Sequence, residues 1–187
     1  MRYDIQAIRL RHDLGEKMKF IFFWGHKPMS GGSVGKTCLS QWYDCRFTVD
    51  GTEFHTAEQY MMAQKALLFG DKKIYAEIMA ASDPGAYKDL GRRISGFDEK
   101  VWEQHRTEIV IAGNMAKFGQ NEELRDYLLA TEKSVLVEAS PYDRIWGIGL
   151  SADTEGIEDP YIWKCSDLLG FCLMEVRDRL KEDPDAR

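Results

Sequence analysis

From Lys19 to Trp24 the chain runs Lys-Phe-Ile-Phe-Phe-Trp, a continuous apolar stretch that predicts a buried strand. The glycine- and serine-rich residues 25–36 then read as a loop. Arg46-Phe47-Thr48-Val49 and Thr52-Glu53-Phe54 flank Asp50-Gly51, a pair that supplies the positive φ angles of a tight turn, so this segment predicts a hairpin. A helix follows at once. Thr56 with Gln59 three residues on fits a capping box, and Gly70 closes the run Leu67-Leu68-Phe69, which places the helix over 57–69. Further helices are predicted over 71–81, over 84–93 with Ser82 or Asp83 as cap, and over 99–118 between a cap at Asp98 and a stop at Gly119. Asn121 caps another, to 130. Residues 134–139 form a strand by their branched side chains, with Trp146-Gly147-Ile148-Gly149 a tight segment near it. From 167 onward Leu168, Leu169, Cys172, Leu173, Val176 and Leu180 mark a closing amphipathic helix. Residues 1–17 are charged and weakly patterned, an extension with room for a short helix. The predicted class is α+β, a single helix-rich domain with a small β-sheet. Its boundaries are an extension over 1–18, a main domain over 19–182 and a tail over 183–187.

Seen down the 57–69 helix, Glu58, Met61, Met62 and Lys65 form one stripe, while Tyr60, Ala63, Gln64, Leu67 and Leu68 spread around the remaining circumference. Two charges therefore interrupt an apolar helix. At ~1.5 Å per residue they stand about 11 Å apart along the axis, so flexible side chains of opposite sign can converge on one small substrate. The alternative, for any Glu and Lys taken at random, is a solvated pair making ordinary helix contacts.

Composition narrows the setting. The chain has 187 residues, 44% of them hydrophobic and 30% charged, as in an ordinary soluble globule, and that length suits one sizeable core. A net charge of −6 argues against sequence-indifferent nucleic-acid binding through a broad basic surface, so any phosphate site must be local. No run approaches a membrane span, and Asp4, Arg9, Arg11, His12, Asp13 and Glu16 break up any signal core, which points to the cytoplasm. The four cysteines, at 38, 45, 165 and 172, lack the spacing of a zinc knuckle or redox pair, and the histidines at 12, 26, 55 and 105 are scattered. The reading calls for no metal and no cofactor. Gly31-Gly32-Ser33-Val34-Gly35-Lys36-Thr37 looks like a phosphate loop, but Ser30 stands where a Walker A loop needs glycine, and a hairpin rather than a helix follows.

Leu39-Ser40-Gln41-Trp42-Tyr43, Phe47-Thr48-Val49-Asp50-Gly51, Ala57-Glu58-Gln59-Tyr60 with Gln64-Lys65, then Lys117-Phe118, Leu128-Leu129-Ala130-Thr131, Leu136-Val137-Glu138-Ala139-Ser140, Asp143, Trp146-Gly147-Ile148-Gly149 and Leu168-Leu169-Gly170 through Arg177 appear in one order. In that order and spacing, over roughly residues 20–180, the chain resembles the NADAR family, also called YbiA-like. The resemblance implies a compact, helix-rich α+β domain that hydrolyses N-glycosidic bonds, acting on phosphorylated ribosylamine intermediates of riboflavin biosynthesis or removing ADP-ribose from guanine in nucleic acid. Ser40-Gln41-Trp42 departs from the family's usual Ser-Asn-Phe, and Asp167 replaces its usual asparagine.

Cleaving a C1–N bond builds positive charge on the ribose and negative charge on the departing nitrogen, which demands a proton donor and a stabilising anion or a nucleophile. Glu58 suits the proton carrier. Lys65, where the resemblance implies an important lysine, suits either a Schiff-base nucleophile or an electrostatic clamp on phosphate. Asp143 can activate water or hold a ribose hydroxyl, and Gly147 and Gly149 let backbone approach the ligand. Trp146 and Trp102 can stack on a planar ring. Arg46, Arg92, Arg93 and Lys117 are the candidates for phosphate, Trp42 and Tyr60 for further substrate contacts, and Glu138 for support from the adjacent strand. Two other classes stay open at this point: a module that binds ADP-ribose without cleaving it, and a nucleotide hydrolase using Lys36.

Overall fold

The two apolar strands predicted 115 positions apart are partners: β1 (Phe20–Phe23) pairs in parallel with β4 (Val135–Glu138), with Phe20 opposite Val135 and Phe23 opposite Glu138. A computed structural model describes residues 1–28, 31 and 33–183. Met29, Ser30 and Gly32, within the expected loop and its phosphate-loop-like motif, lie outside the described residues, as do 184–187 of the expected tail. After the loop the chain makes a single 3₁₀ turn, Lys36–Leu39. The hairpin forms as β2 (Phe47–Val49) against β3 (Thr52–Phe54), turning through Asp50 and Gly51 at φ 49° and 76°.

Among the described residues seven helices surround these strands: α1 (Ile5–Asp13), α2 (Ala57–Leu68), α3 (Lys72–Ala80), α4 (Pro84–Arg92), α5 (Glu99–Gln120), α6 (Glu122–Ala130) and α7 (Leu168–Glu182). The α+β class with a small β component is therefore what the chain adopts, although the β part is two separate two-stranded sheets. Helix α2 is central, packing on α3, α4 and α5, and α7 packs on α5 and β4. Its start follows the capping pattern, with Thr56 Oγ1 accepting from Gln59 N–H at 3.1 Å; Gln59 Oε1 reaches back to the N–H of His55 at 2.8 Å.

The end of α5 and the role of Asn121 differ from the expected ones, and α2, α3 and α4 are each shorter by one or two residues. Helix α5 passes through Gly119 to Gln120, because Asn121 Nδ2 donates to the Lys117 carbonyl at 2.8 Å and satisfies the helix end there. That amide also donates to the Arg46 carbonyl at 3.0 Å, so Asn121 ties α5 to the hairpin and makes no side-chain cap on α6. The N-terminal extension carries a real helix and is stitched down. Ile8 is fully buried, Arg2 N–H donates to Glu175 Oε2 at 2.9 Å, and Tyr3 Oη donates to Asp178 on α7. Among the described residues no helix is long and apolar enough to cross a membrane.

Candidate active site

The C-terminal ends of β1 and β4 open on a cavity of about 950 Å³ walled on the other side by α2 and α4. The volume lies in the range of small-molecule sites. Helix α2 presents Glu58, Met61, Met62 and Lys65 to it, the very stripe that helical periodicity defines. Helix α4 adds Lys88, Gly91 and Arg92; α5 adds Trp102; β4 and the segment after it add Glu138, Asp143 and Trp146. A solvated pair is excluded for Glu58, which is only 4% exposed.

Each charged group has identifiable partners. Burial pushes the Glu58 carboxyl up to about 7, with Asp143 adding to the rise; Lys88, a hydrogen bond from Trp42 and Lys65 pull it down. Indole carries one donor and no acceptor, so Trp42 acts on the carboxyl from the donor side. Lys65 Nζ donates to the Gly91 carbonyl at 3.0 Å and stands 4.3 Å from the Phe97 ring centroid and 5.4 Å from that of Trp102. Burial lowers the Lys65 pKa and Glu58 works against that. Lys65 reaches the Gly91 carbonyl because α2 and α4 touch: a Cβ on Gly91 would come within 2.0 Å of Met62 Sδ.

The segment carrying Asp143 is built as a local turn facing a cleft. Asp143 Oδ1 accepts from the N–H groups of Ile145 and Trp146 at 3.0 and 2.8 Å, while Oδ2 meets Lys88 Nζ at 3.3 Å across the cavity. So Asp143 is both a turn cap and a cavity group. Glu138 is partly buried as a residue, but its Oε2 is sealed from solvent and has no hydrogen-bond partner. Burial, with Asp143 and Glu58 nearby, raises its pKa to about 8. Gly147 does not line the cavity; a Cβ there would sit 2.7 Å from the Glu138 carbonyl, so the glycine lets the Trp146 segment lie flat on the end of β4.

Of the residues expected at the site, Trp42, Glu58, Lys65, Arg92, Trp102, Glu138, Asp143 and Trp146 share the cavity, whereas Arg46, Tyr60, Arg93 and Lys117 lie elsewhere. Arg46 is 67% exposed on the solvent face of the hairpin and pairs with Glu53 at 3.0 Å. Tyr60 points from α2 into the core, edge-on to Phe54 with ring centroids 5.1 Å apart, because it occupies the opposite side of the helix from Glu58. Arg93 pairs with Glu77 at 3.5 Å on the surface. Lys117 is wholly buried and donates to the Ser40 carbonyl at 2.8 Å.

Other cavity residues, Lys88, Trp24, Lys27 and Arg144 among them, were not among the expected ones. Lys88 stands one helical turn before Arg92, so its place on the same face could have been read from the spacing. Trp24, Lys27 and Arg144 could not, since they reach the cavity only through the parallel pairing of β1 with β4 and the turns beyond it.

The NADAR domain pattern matches residues 22–181, most of the chain. The chain belongs to the NADAR family. It is 42% identical over 168 residues to the N-glycosidase R617 of Acanthamoeba polyphaga mimivirus, covering 87% of this chain and 97% of that one. It is 36% identical over 132 residues to the N-glycosidase YbiA of Escherichia coli strain K12, covering 71% and 74%. A riboflavin biosynthesis protein of Vibrio vulnificus is 33% identical over 144 residues, which are 77% of this chain but 35% of that longer protein. The NMR structure of E. coli YbiA superposes with a TM-score of 0.70 at 31% identity, covering 90% of this chain and 88% of that one. By class this NADAR protein is an enzyme, an N-glycosidase.

Proposed function

We propose that the enzyme hydrolyses the C1–N bond of a phosphorylated ribosylamine, a small molecule of the kind that ribosylamino-pyrimidines of riboflavin biosynthesis represent. The observation that carries this reading is the delivery of Glu58 and Lys65 into one cavity, with a carboxyl poised to hold its proton near neutrality. A group with a pKa close to the working pH both keeps and transfers a proton. The relatives named N-glycosidase and the riboflavin biosynthesis protein support the reaction class and the substrate type. The net charge of −6 favours a small ligand over a nucleic-acid duplex, whose backbone would need a wide basic face.

In this mechanism the nitrogen lone pair breaks the C1–O4 bond of the ribose as Glu58 gives its proton to the ring oxygen, leaving a C1=N iminium. The Lys65 amine, in its neutral form, attacks C1 to form a C1–Nζ bond, and the Glu58 carboxylate carries a proton from Nζ to the substrate nitrogen. The C1–N bond then breaks, the nitrogen leaves as an amine, and a protonated lysine imine remains. Asp143 takes a proton from water as the hydroxide adds to C1 and passes it to Nζ; Glu58 takes the new hydroxyl proton as the C1–Nζ bond breaks, which releases the sugar aldehyde and restores Glu58, Asp143 and the neutral amine. Asp143 is placed for this by its turn and by Lys88, whose Nζ donates to Oδ2 at 3.3 Å. Trp102 and Trp146 offer ring faces for the planar base, and Arg92 a cation for phosphate. All four cysteines are free thiols, as a reducing compartment keeps them, so a cytoplasmic site of action belongs to this proposal.

The test is incubation of the pure protein with ribosylamino-pyrimidine phosphates and, in parallel, with ADP-ribosylated guanine in DNA, scoring free base and ribose product. Release from the small substrate, lost in Glu58→Gln and Lys65→Met, is the expected result. Release from the modified DNA alone would transfer the assignment to nucleic-acid repair, and release from neither would refute the substrate class.

A further inference from the structure

Lys117 is the one fully buried lysine among the described residues, and it faces no carboxylate there. Taking an ammonium out of water without an opposite charge is costly, and burial lowers its pKa accordingly. The titratable groups that act on it are the thiols of Cys38 and Cys45, themselves shifted upward by burial. Its surroundings otherwise are the Tyr43 and Phe118 rings, at 5.8 and 5.0 Å, and the Ser40 carbonyl at 2.8 Å. It does not line the cavity, so it cannot touch the substrate.

What it touches does lead there. Ser40 opens a three-residue turn held at several points: Ser40 Oγ accepts from Trp42 N–H at 3.1 Å, and Gln41 Nε2 donates to Asn114 Oδ1 at 3.1 Å. Asn114 in turn donates to the Val110 carbonyl at 2.8 Å, which fixes its amide on α5 one turn before Lys117. From the other side of the same turn, the Gln41 carbonyl accepts the Glu58 backbone N–H at 2.9 Å, and the Trp42 indole shares the cavity wall with the Glu58 carboxyl and lowers its pKa as a donor facing it. Two anchors on α5 thus hold three residues whose other ends grip Glu58.

We propose that Lys117 is a positioning residue for catalysis: its buried ammonium, through the Ser40 carbonyl, fixes the 40–42 turn so that the Trp42 indole meets the Glu58 carboxyl. A charge-assisted bond to a carbonyl is stronger and more directional than a neutral one, which accounts for a cation in a place where methionine would fit. Sub-ångström placement of a proton carrier matters, since a shift of about 1 Å can cost about a hundredfold in rate. The inference rests on the reading of Glu58 as the proton carrier.

The experiment compares Lys117→Met with the unaltered enzyme by three readouts: thermal midpoint, kinetic constants, and the titration of the Glu58 carboxyl followed by ¹³C NMR without substrate. Glu58 shares the cavity with Lys65 from its own helix, Lys88 and Arg92 from α4, Glu138 from β4, Asp143 and Arg144 from the segment after it, and His26 and Lys27 from the segment after β1. None of these changes in the variant, so a shift in the titration reports the Trp42 contact. The expected result is an unchanged or raised thermal midpoint, an unchanged KM, and kcat lower by about tenfold. The Glu58 titration should move up by about half a unit, because a donor to the carboxylate has been loosened. A raised KM with unchanged kcat would make Lys117 a substrate contact and overturn the proposal. A fall in thermal midpoint and kcat together, with Glu58 titrating as before, would reduce it to a core residue. Asn114→Leu, which frees the other anchor, should move the Glu58 titration the same way; an unmoved titration in that folded variant also overturns the proposal. Because this titration needs no turnover, it stands even where the proposed substrates fail.

Discussion

Replacing Glu58 by glutamine should stabilise the protein at alkaline pH while abolishing its activity. The folded-state carboxyl has a pKa raised from 4.5 to about 7 by burial, whereas the unfolded chain releases that proton near the ordinary value. Between those values the folded state binds more protons than the unfolded state, so stability falls as pH rises through the interval and is fully present only below it. The gap of about 2.5 units, at ~1.36 kcal/mol each, is on the order of 3 kcal/mol. Glutamine keeps the shape and can accept the Trp42 indole proton, yet never ionises. It also removes a negative charge from beside Glu138, whose own raised pKa relaxes in the same direction. Urea unfolding of both proteins at pH 5 and pH 9 measures the effect. Going from pH 5 to pH 9, the variant should gain about 3 kcal/mol relative to the unaltered enzyme. A pH-independent difference, or one of opposite sign, would show that Glu58 is not desolvated as its position implies, and the assignment of a stored proton would fall with it.

Lys88→Met should cost about 1 kcal/mol or less in stability, since the lysine is 39% exposed, but should move the alkaline limb of kcat/KM upward because the cation that holds down Glu58 and Glu138 is gone. A pH–rate profile superposing on that of the unaltered enzyme would contradict this. Gly147→Ala would press a methyl to 2.7 Å from the Glu138 carbonyl and should destabilise by about 1–3 kcal/mol with loss of activity, checked by calorimetry and initial rates. Arg46→Ala, by contrast, should leave kcat and KM unchanged and alter stability by about 0.5 kcal/mol at most, because its pair with Glu53 is solvated.

The helices were readable because their signals are local. Asp98, Asp83 and Thr56 each cap the helix they precede, and helical spacing alone puts Glu58 and Lys65 on one face of α2, the face that meets the cavity. The same periodicity could not say which of the remaining faces is core, and so Tyr60, on the far side of α2, was expected at the substrate while it packs on Phe54. Cations were the least legible. Arg46, Arg93 and Lys117 are spent on a surface pair, a second surface pair and a backbone carbonyl, whereas Lys88 reaches Asp143 from a helix 55 positions away in sequence. Where a charge is used depends on tertiary neighbours, and the decisive one, the parallel pairing of β1 with β4, joins segments more than a hundred residues apart. Asp167 shows the same limit from the other direction. Its carboxyl accepts from the Glu138 N–H at 2.8 Å beneath the cavity, a contact that its place at the start of α7 did not disclose.

The central claim, that the Lys65 amine bonds to C1 of the sugar, is tested most directly by borohydride reduction during turnover followed by peptide mass spectrometry. The expected result is a sugar phosphate fixed to the peptide containing Lys65, absent in Lys65→Met and absent without substrate. Full turnover with no adduct at Lys65, or an adduct on another lysine, would contradict it.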